Sequence, residues 1–447
     1  MAKFGRCVVG LLGLWLWLGC DDAPSAADIH HGGDMVDGQD VDTTHAGQYL
    51  AEGIFTLRMG TTDNIEAVKV FPGEAAGLVL GSKSRKISRL RVLADRLEIS
   101  RERSYFADDP SESELTNLAI GPDGTWAAIT RTLISTDGSG AQTACGGELL
   151  LVSTQDDSAF GDQLARLEVG AMPDAVAISD DGRWIAVANE RDGPDAWGKC
   201  EVPGVVPSIS IIAVPDGPAS AVERHRVVMI DGGTGPREPE GCAFGRDNDT
   251  VLCTLQDSHE VIVLRISALE GKAAPTSADG IVVRLPDDSL GAGPWPDGIV
   301  RFVDLYGREA FAIAGEWNDS LIVVGLDGAV LGMVELTASD LPTDLPRANR
   351  EGYPPFSPDT PASFVYGGKV FIGVSLRHSG AVAFYDVSDA TRPRYAGAAR
   401  VGDHGLASVS NKGSTIAPEG LCAAADGTFL LSANEGENAV TLIRPVQ

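Results

Sequence analysis

The sequence predicts an all-β fold, a β-propeller of seven blades with four strands each, on the basis of three observations. A motif of Pro, an acidic residue and a small residue recurs, beginning at Pro173 and again at Pro418. In both copies an Asn follows 16 residues later, at Asn189 and Asn434. Short apolar runs between turns rich in Asp and Gly indicate strands, and long helical periodicity is absent. A unit that recurs at fixed spacing is typical of repeat folds such as propellers.

Within each unit the apolar runs are predicted to pair as hairpins. Residues 175–178 and 184–188 flank a turn that contains Gly182, and residues 241–244 and 251–255 flank a turn of Asp and Asn. Gly, Asp and Asn tolerate the positive φ angles that tight hairpin turns require. We therefore expect antiparallel strand pairs throughout the repeats.

Laid end to end, the units predict the boundaries of the blades. These are residues 65–112, 113–170, 171–234, 235–291, 292–345, 352–405 and 414–447. The last unit has room for about three strands, and an isolated apolar run at 54–59 is predicted to supply its fourth. Pairing the two ends of the chain removes an unpaired sheet edge. Six or eight blades remain open, because the first and sixth units match the motif poorly.

The first 20 residues are predicted to be an export signal. Lys3 and Arg6 precede an apolar stretch at 8–18 that is short for a transmembrane helix. Gly19 and Cys20 follow it and resemble the lipobox of bacterial lipoproteins, in which the Cys carries the lipid. An ordinary secretory signal with an incidental Cys is the alternative.

A flexible segment and a single domain are expected after the signal. Residues 21–50 are rich in Asp, Gly, Ala and His and almost free of aromatic residues, so they are predicted to form a disordered acidic tether. Residues 51–447 are predicted to form one propeller domain. We expect the protein at the bacterial cell envelope, anchored by lipid and facing the periplasm or the cell surface.

The charge balance excludes one large class of partners. The chain has 35 basic and 63 acidic residues, for a formal net charge of -28. Such a chain repels nucleic acid phosphates and anionic membrane surfaces. We expect no nucleic acid partner, and contact with a membrane only through the lipid anchor.

The cysteines are suited to an oxidising compartment. Cys145 and Cys200 stand just ahead of predicted strands at equivalent places in neighbouring units, and we expect a disulfide between them. Cys242 and Cys253 flank one turn and are either bonded across a hairpin or two buried free thiols. The pairing of Cys422 stays open. The sequence has no Cys/His pattern with zinc spacing.

Several segments resemble a known family of extracellular propellers. Residues 172–190, 208–212, 380–389 and 418–435, most specifically the two Asn-Glu corners, resemble the choice-of-anchor I family. The chain is also similar to YVTN-type and lactonase-like seven-bladed propellers. The resemblance implies the fold and an exterior location, and it implies no single activity. After the first Asn-Glu corner this chain has a Pro-rich segment up to Pro207 instead of the family's usual insertion.

Acidic residues of the motif are the candidate metal ligands. The first strand of each propeller blade lines the central channel, so acids at its start are expected to converge at the channel mouth. Hard cations take oxygen ligands, which makes Ca²⁺ or Mg²⁺ the expected ion. The candidate ligands are Asp174, Glu240, Asp297, Glu419, Asn189 and Asn434. Alternatively, each acid accepts backbone N–H bonds and fixes the register between blades.

Four further residues are candidates for contact with a ligand: Glu190, Glu435, Trp317 and His378. The two Glu follow the Asn of the motif, at the end of the second strand. Trp317 lies near a loop and could stack on a sugar ring. His378 occupies the corresponding corner of the sixth unit. Alternatively, the corner residues cap turns, and His378 is an ordinary exposed histidine.

The sequence favours two functions after these exclusions. The first is a lipid-anchored binding module for a protein, a glycan or a small polar ligand, with a divalent cation at the channel mouth. The second is a Ca²⁺- or Mg²⁺-dependent hydrolase of lactonase or phosphoester type that uses the channel carboxylates. No catalytic residue is assigned, because the sequence has no serine nucleophile elbow, phosphate loop, dinucleotide fingerprint or zinc helix. A purely structural envelope module is a third possibility.

Overall fold

Each repeat of the sequence folds into one sheet of four antiparallel strands. The computed structural model describes residues 51–60, 63–106, 113–137, 142–191, 200, 202–230, 236–348, 354–403, 409–410 and 413–445. The predicted signal, Cys20 and the tether of residues 1–50 lie outside them. In the described part of the chain, seven such sheets follow one another. The prediction of an all-β propeller with seven blades is confirmed.

The strands follow the predicted blade boundaries. The first strand, β1 (Ala51–Arg58), belongs to the last blade. Blade 1 consists of β2 (Ile65–Val70), β3 (Ala76–Gly81), β4 (Lys86–Val92) and β5 (Leu97–Ser104). Blade 2 consists of β6 (Leu115–Ile120), β7 (Trp126–Thr136), β8 (Gln142–Ser153) and β9 (Gln163–Val169). Blade 3 consists of β10 (Pro173–Ile178), β11 (Trp184–Asn189), β12 (Ser208–Ala213) and β13 (Val222–Val228).

The next three blades repeat this order. Blade 4 consists of β14 (Pro239–Phe244), β15 (Thr250–Leu255), β16 (Glu260–Arg265) and β17 (Ile281–Arg284). Blade 5 consists of β18 (Pro296–Val303), β19 (Glu309–Gly315), β20 (Ser320–Gly325) and β21 (Val330–Glu335). Blade 6 consists of β22 (Pro358–Tyr366), β23 (Lys369–Leu376), β24 (Ala381–Asp386) and β25 (Arg394–Arg400).

Blade 7 joins the two ends of the described chain. A two-strand hairpin, β26 (Val409–Ser410) and β27 (Gly413–Ser414), precedes its strands β28 (Pro418–Ala423), β29 (Leu430–Asn434) and β30 (Ala439–Pro445). β1 pairs antiparallel with β30, with Ala51 opposite Pro445 and Arg58 opposite Ala439. The N-terminal strand therefore completes the last blade, as the isolated apolar run predicted.

Helical structure is sparse in the described residues. It comprises the one-turn helix α1 (Ile266–Leu269) and the 3₁₀ turns Pro218–Ser220, Ser277–Asp279 and Glu435–Glu437. None of the described helices has the length and apolar character that crossing a bilayer would require.

The first strand of each blade, here called the inner strand, belongs to a closed ring. The inner strands are β2, β6, β10, β14, β18, β22 and β28, and each is the first strand of its sheet. Each packs against the inner strand of the next blade, and β28 packs against β2. This arrangement brings the starts of all seven inner strands to one central channel.

The apolar core lies between the blades. Successive side chains of a strand point to opposite faces, so each middle strand serves two interfaces. In β11, Ile185 and Val187 pack with blade 2, whereas Ala186 and Ala188 pack with blade 4. In the described chain, each pair of neighbouring blades has one buried apolar cluster between them. Burial on both faces explains why these strands are continuous apolar runs.

Two disulfides connect described residues. Cys145 in β8 is bonded to Cys200, which precedes β12, and their Cα atoms are 5.7 Å apart. This bond links blade 2 to blade 3. Cys242 and Cys253 are bonded across the paired strands β14 and β15, which resolves the alternative left open by the sequence. Cys422 is a free cysteine.

Candidate functional site

A ring of carboxyl groups surrounds the central channel at the start of the inner strands. The second residue of the inner strand is acidic in six blades, and in blade 2 it is Thr116. The acids are Glu66, Asp174, Glu240, Asp297, Asp359 and Glu419. All seven side chains line one cavity of about 750 Å³, here called the channel cavity. The structure thus brings together the four acids that the motif predicted and adds Glu66 and Asp359.

A repeated backbone arrangement places these acids. In every blade, a backbone N–H of the second strand or of the residue directly after it donates to the carbonyl of the residue two positions before the acid, or before Thr116 in blade 2, at 2.9–3.1 Å. In five blades the residue that accepts this bond has a positive φ, between 44° and 55°: Asn64, Met172, Trp295, Ser357 and Ala417. Pairing of the inner strand then shifts register around the acid, as in a β-bulge. A β-bulge changes the direction in which a side chain points, and here the redirected side chain is that of the motif acid.

A second set of side chains joins the ring from the ends of the second strands. These corner residues carry the N–H that makes the repeated bond, and five of them line the channel cavity: Glu190, Gln256, Glu316, Arg377 and Glu435. Glu316 accepts hydrogen bonds from Ser357 Oγ at 3.0 Å and from Gln256 Nε2 at 3.4 Å. The channel cavity therefore has nine carboxyl groups in its lining, against the cationic side chains Lys69 and Arg377.

Burial and mutual repulsion change the protonation of the ring. Burial raises the pKa of Glu66, Glu240 and Asp297 well above its usual range, and neighbouring carboxylates raise it further. Burial also raises the pKa of Asp359 to about 7, although the Arg377 charge opposes the shift. Without a cation, several carboxyl groups of the ring are therefore protonated at pH values where ordinary carboxyl groups are ionised.

Arg377 organises one side of the channel. Its guanidinium lies 2.5 Å from Glu419 Oε1 and 3.7 Å from Glu435 Oε2. Burial raises the pKa of Glu419 well above its usual range. Burial also acts on Glu435, but a hydrogen bond with Glu419 and the Arg377 charge hold the pKa of Glu435 below its usual range. Glu419 is therefore the member of the pair that takes up a proton more readily.

On another side of the channel, three carboxyl groups form a compact oxygen cluster. One ligand atom each of Asp174, Glu190 and Glu240 lies within 4.8 Å of the other two. Oxygens bound to one Ca²⁺ at about 2.3–2.6 Å are at most about 5 Å apart, so the cluster fits that ion. Mg²⁺, with bonds of about 2.0–2.1 Å, holds its oxygens at most about 4.2 Å apart and so demands a tighter cluster than Ca²⁺ does.

Glu240 is the most unusual member of the cluster. The residue is only 7% exposed, and no hydrogen bond or salt bridge from a described residue reaches its carboxyl group. A buried polar group without a partner costs free energy, and a buried charge costs more. The groups that surround Glu240 electrostatically, beginning with Glu190 and Asp174, carry charge of the same sign. A cation would suit this environment as a partner for the carboxylate.

Two predicted metal ligands lie elsewhere. Asn189 is fully buried, and its Nδ2 donates to Ser208 O at 3.0 Å and to Ser210 Oγ at 3.2 Å within blade 3. Asn434 accepts from Ser432 Oγ at 2.9 Å and donates to Thr441 Oγ1 at 2.8 Å. Neither lines the channel cavity. They belong to the hydrogen bonding of the blades, and the structure does not bring them into the oxygen cluster.

The predicted ligand contacts divide in the same way. Glu190 and Glu435 line the channel cavity, whereas Trp317 and His378 do not. Trp317 stacks on Trp295, with ring centroids 4.9 Å apart. His378 Nδ1 donates to Pro354 O at 2.8 Å. His378 is one residue beyond the true corner of blade 6, which is Arg377.

The sequence patterns did not single out several channel residues, among them Glu66, Asp359, Gln256 and Arg377. Asp359 follows Pro358 as the motif requires, so the Pro-Asp pair was a signal in the sequence that could have identified it. Glu66 follows Ile65 instead of a Pro, and Gln256 and Arg377 replace the Glu of the other corners. These three could be recognised only by aligning all seven blades.

Comparison with known proteins shows the fold and no family. No protein-family model and no curated protein matches the chain. The periplasmic gluconolactonase PpgL of Pseudomonas aeruginosa superposes with a TM-score of 0.56 at 15% identity, over 85% of this chain and 90% of that one. Virginiamycin B lyase from Staphylococcus aureus superposes with a TM-score of 0.50 at 12% identity, over 88% and 98%.

A third similar structure is a much longer protein. Raptor from Chaetomium thermophilum superposes with a TM-score of 0.56 at 9% identity, over 90% of this chain. The chain spans only 30% of the length of Raptor. At these identities the likeness establishes the propeller fold alone. The resemblance to the choice-of-anchor I family stays a prediction.

Proposed function

We propose that this propeller is an extracytoplasmic binding module that holds a divalent cation in its channel and captures a small polar ligand there. The observation that carries the proposal is the oxygen cluster of Asp174, Glu190 and Glu240, in which the strongest electrostatic neighbours of the buried Glu240 are carboxyl groups. Calcium is the ion that we expect, because its longer bonds accept a wider range of oxygen spacings than those of magnesium. Its charge would keep Glu240 ionised and offset the repulsion among the three groups.

The rest of the cavity supports the capture of a ligand. Three carboxylates occupy only part of the six to eight oxygen positions that Ca²⁺ takes, and water or ligand oxygens fill the others. The channel cavity of about 750 Å³ has the size of a site for a small molecule. A ligand with hydroxyl, carbonyl or carboxylate oxygens would complete the coordination of the ion.

A metal-dependent hydrolase is the second candidate, and the pair of Glu419 and Glu435 favours it. One cavity contains the cation cluster and, beside Arg377, the buried carboxyl group of Glu419 with its raised pKa. A bound divalent cation polarises a carbonyl or phosphoryl oxygen, and a protonated carboxyl group can act as a general acid. The similar fold of the P. aeruginosa gluconolactonase suggests a lactone as the first substrate class to test.

We also propose a location at the bacterial cell envelope with a lipid on Cys20. Two features support it. Residues 1–20 have the pattern of a lipoprotein signal. The two disulfides of the propeller suit an oxidising compartment.

Melting of the purified protein in EDTA, CaCl₂ or MgCl₂ tests the cation site. At about one hundred times its dissociation constant, a bound ion stabilises the fold by about 2.7 kcal/mol. We expect calcium to raise the melting temperature, magnesium to raise it less, and Glu240→Gln to abolish the rise. In EDTA this variant should be at least as stable as the wild type, because it removes a buried like charge.

The matched control is Glu168→Gln, which removes an exposed acid on the outer strand of blade 2. It should keep the full calcium response. A wild-type protein whose melting and metal content do not respond to calcium would overturn the proposed function. If calcium binds, hydrolysis of lactones and phosphoesters by the loaded protein decides between the two candidates.

A further inference from the structure

A second cavity opens beside the cation cluster. It has a volume of about 460 Å³, extends over blades 1, 2 and 3, and is here called the side cleft. It shares Thr116, Asp174 and Glu190 with the channel cavity. A ligand oxygen bound to a cation at Asp174 and Glu190 would therefore lie next to both cavities.

The wall of the side cleft in blade 1 is basic. Lys83 and Arg85 line it, and both belong to the turn between β3 and β4. Lys83 is exposed, and within the described residues its ammonium forms no hydrogen bond or salt bridge. In a chain of net charge -28, two basic side chains beside an acidic channel form an unusual local patch.

The turn that bears these residues is held by several bonds. Arg85 N–H donates to Ser82 O at 3.1 Å, and Arg85 O accepts from Tyr105 N–H at 2.9 Å. The Arg85 guanidinium donates to Phe106 O at 3.0 Å. These bonds fix the backbone from which Lys83 projects at the rim of the side cleft.

We propose that the side cleft binds the anionic group, a carboxylate or a phosphate, of a small ligand whose other oxygens reach the cation held by Asp174, Glu190 and Glu240. Lys83 and Arg85 would bind the anionic group. This inference rests on the proposed function and specifies its ligand as a small acid that also offers hydroxyl or carbonyl oxygens. Lysine binds carboxylate and phosphate as a point charge, and arginine adds directed hydrogen bonds.

The charges around the side cleft make this binding depend on the cation. Glu114, Asp174 and Glu190 line the cleft and would repel an anion in the empty protein. A divalent cation cancels much of that repulsion. The positive charges of the two basic residues then allow an anion to bind in the side cleft. Cation and anion must therefore strengthen each other's binding by the same factor.

Titration calorimetry with D-gluconate and D-glucose tests the subsite. The two probes are similar in size and hydroxyl content, and only gluconate is an anion. With calcium present we expect gluconate to bind more tightly than glucose, and with EDTA we expect its binding to be lost. Inorganic phosphate with magnesium provides the second arm, which tells whether a phosphate can replace the carboxylate.

Lys83→Gln should weaken the binding of gluconate about fivefold, the upper end for one exposed ion pair, and leave glucose unchanged. Its calcium affinity without gluconate should not fall, because the lysine repels the cation. Lys369→Gln is the matched control. It removes an exposed lysine that pairs with Asp386 and lines neither cavity, and it should bind gluconate like the wild type.

The outcomes separate the subsite from the cation site. Equal binding of gluconate and glucose by the calcium-loaded wild type, or unchanged binding of gluconate by Lys83→Gln, would overturn the subsite and leave the cation site intact. If calcium does not bind at all, the proposed function fails. If calcium does not bind but gluconate still binds in a way that requires Lys83, the side cleft is an anion site that needs no metal. That result would contradict only the proposed coupling between cation and anion binding.

Discussion

Arg377 is the residue on which one side of the channel depends. Its guanidinium pairs with Glu419 and Glu435, and its charge also acts on Asp359 and Glu316. An arginine keeps its charge at every relevant pH, so it stabilises neighbouring carboxylates whether or not a cation is bound. The same group would meet an anionic or carbonyl oxygen of a ligand in the channel.

Arg377→Gln should destabilise the metal-free protein, and more at pH 8 than at pH 5. The side chain is 42% exposed, so the loss should lie between that of exposed and buried pairs, at about 1–2 kcal/mol at pH 8. At pH 5 the carboxyl groups with raised pKa values are protonated and need the guanidinium less. Urea unfolding in EDTA at the two pH values measures this difference.

Arg96→Gln is the control for Arg377→Gln. Arg96 is exposed and pairs with Glu98 at 2.9 Å on the outer strand of blade 1. Its replacement should cost less than about 1 kcal/mol at either pH. An equal cost for the two variants, or no dependence on pH for Arg377→Gln, would show that Arg377 does not organise the carboxyl groups.

At the scale of single residues, the sequence predicted the acids of the motif but only part of their surroundings. Asp174 and Glu240 could be found because each follows a Pro that opens an apolar run. Glu66 follows Ile65, and Arg377 replaces a Glu, so neither matches the pattern. The Asn of the motif was misleading as a ligand, because Asn189 and Asn434 complete hydrogen bonds inside their own blades.

The strand β1 is the element that closes the ring. It pairs with β30, and Phe55 and Leu57 pack on the apolar cluster between blades 7 and 1. The register shifts between Gly53 and Phe55. At Gly53 a Cβ atom would lie 2.6 Å from Arg400 O and 2.9 Å from Thr441 Cγ2, so the strand can approach blade 6 closely only because a glycine stands there.

Gly53→Ala should therefore weaken the closure of the propeller. The backbone oxygen of Arg400 cannot move aside easily, and overpacking of this kind costs about 1–3 kcal/mol. Thermal melting should show the loss, and limited proteolysis should cleave near residue 58 sooner than in the wild type. The matched change Gly146→Ala has its nearest atom at 3.9 Å and should cost less than about 0.5 kcal/mol. Equal stability of both variants would contradict the role of β1.

At the scale of elements, the sequence predicted much of the fold. Apolar runs bounded by Asp-Gly turns located the hairpins, and the isolated run at 54–59 indicated the closing strand. The register shifts at the starts of the inner strands were not predictable, because residues as different as Met172, Trp295 and Ala417 adopt the positive φ there. Only the repeated N–H bond, which joins residues far apart in sequence, reveals that arrangement.

The whole molecule concentrates negative charge in its channel, and this determines its response to pH. Burial and like charges raise the folded-state pKa of Glu66, Glu240 and Asp297, and burial raises that of Asp359 to about 7. A carboxyl group with a raised folded-state pKa stabilises the fold below its unfolded pKa and loses that contribution as pH rises through the folded value. Salt-bridged acids such as Asp386 have lowered pKa values. They make the fold less stable as the pH falls, but only below about pH 4.

The metal-free protein should therefore be more stable at pH 5 than at pH 8. Melting in EDTA across this range measures the effect. Calcium should remove part of the loss at pH 8, because the ion takes the place of the proton on Glu240 in the cluster. In Glu240→Gln the loss on raising the pH should be smaller than in the wild type. A metal-free protein that becomes more stable from pH 5 to pH 8 would contradict the raised pKa values.

The most direct test of the cation site is a crystal structure of the protein grown with calcium, analysed by anomalous scattering. We expect a calcium peak bonded to carboxyl oxygens of Asp174, Glu190 and Glu240 at about 2.3–2.6 Å, with further oxygens facing the channel cavity. If crystals of verified calcium content show no anomalous density at these three carboxyl groups, the proposed cation site is wrong.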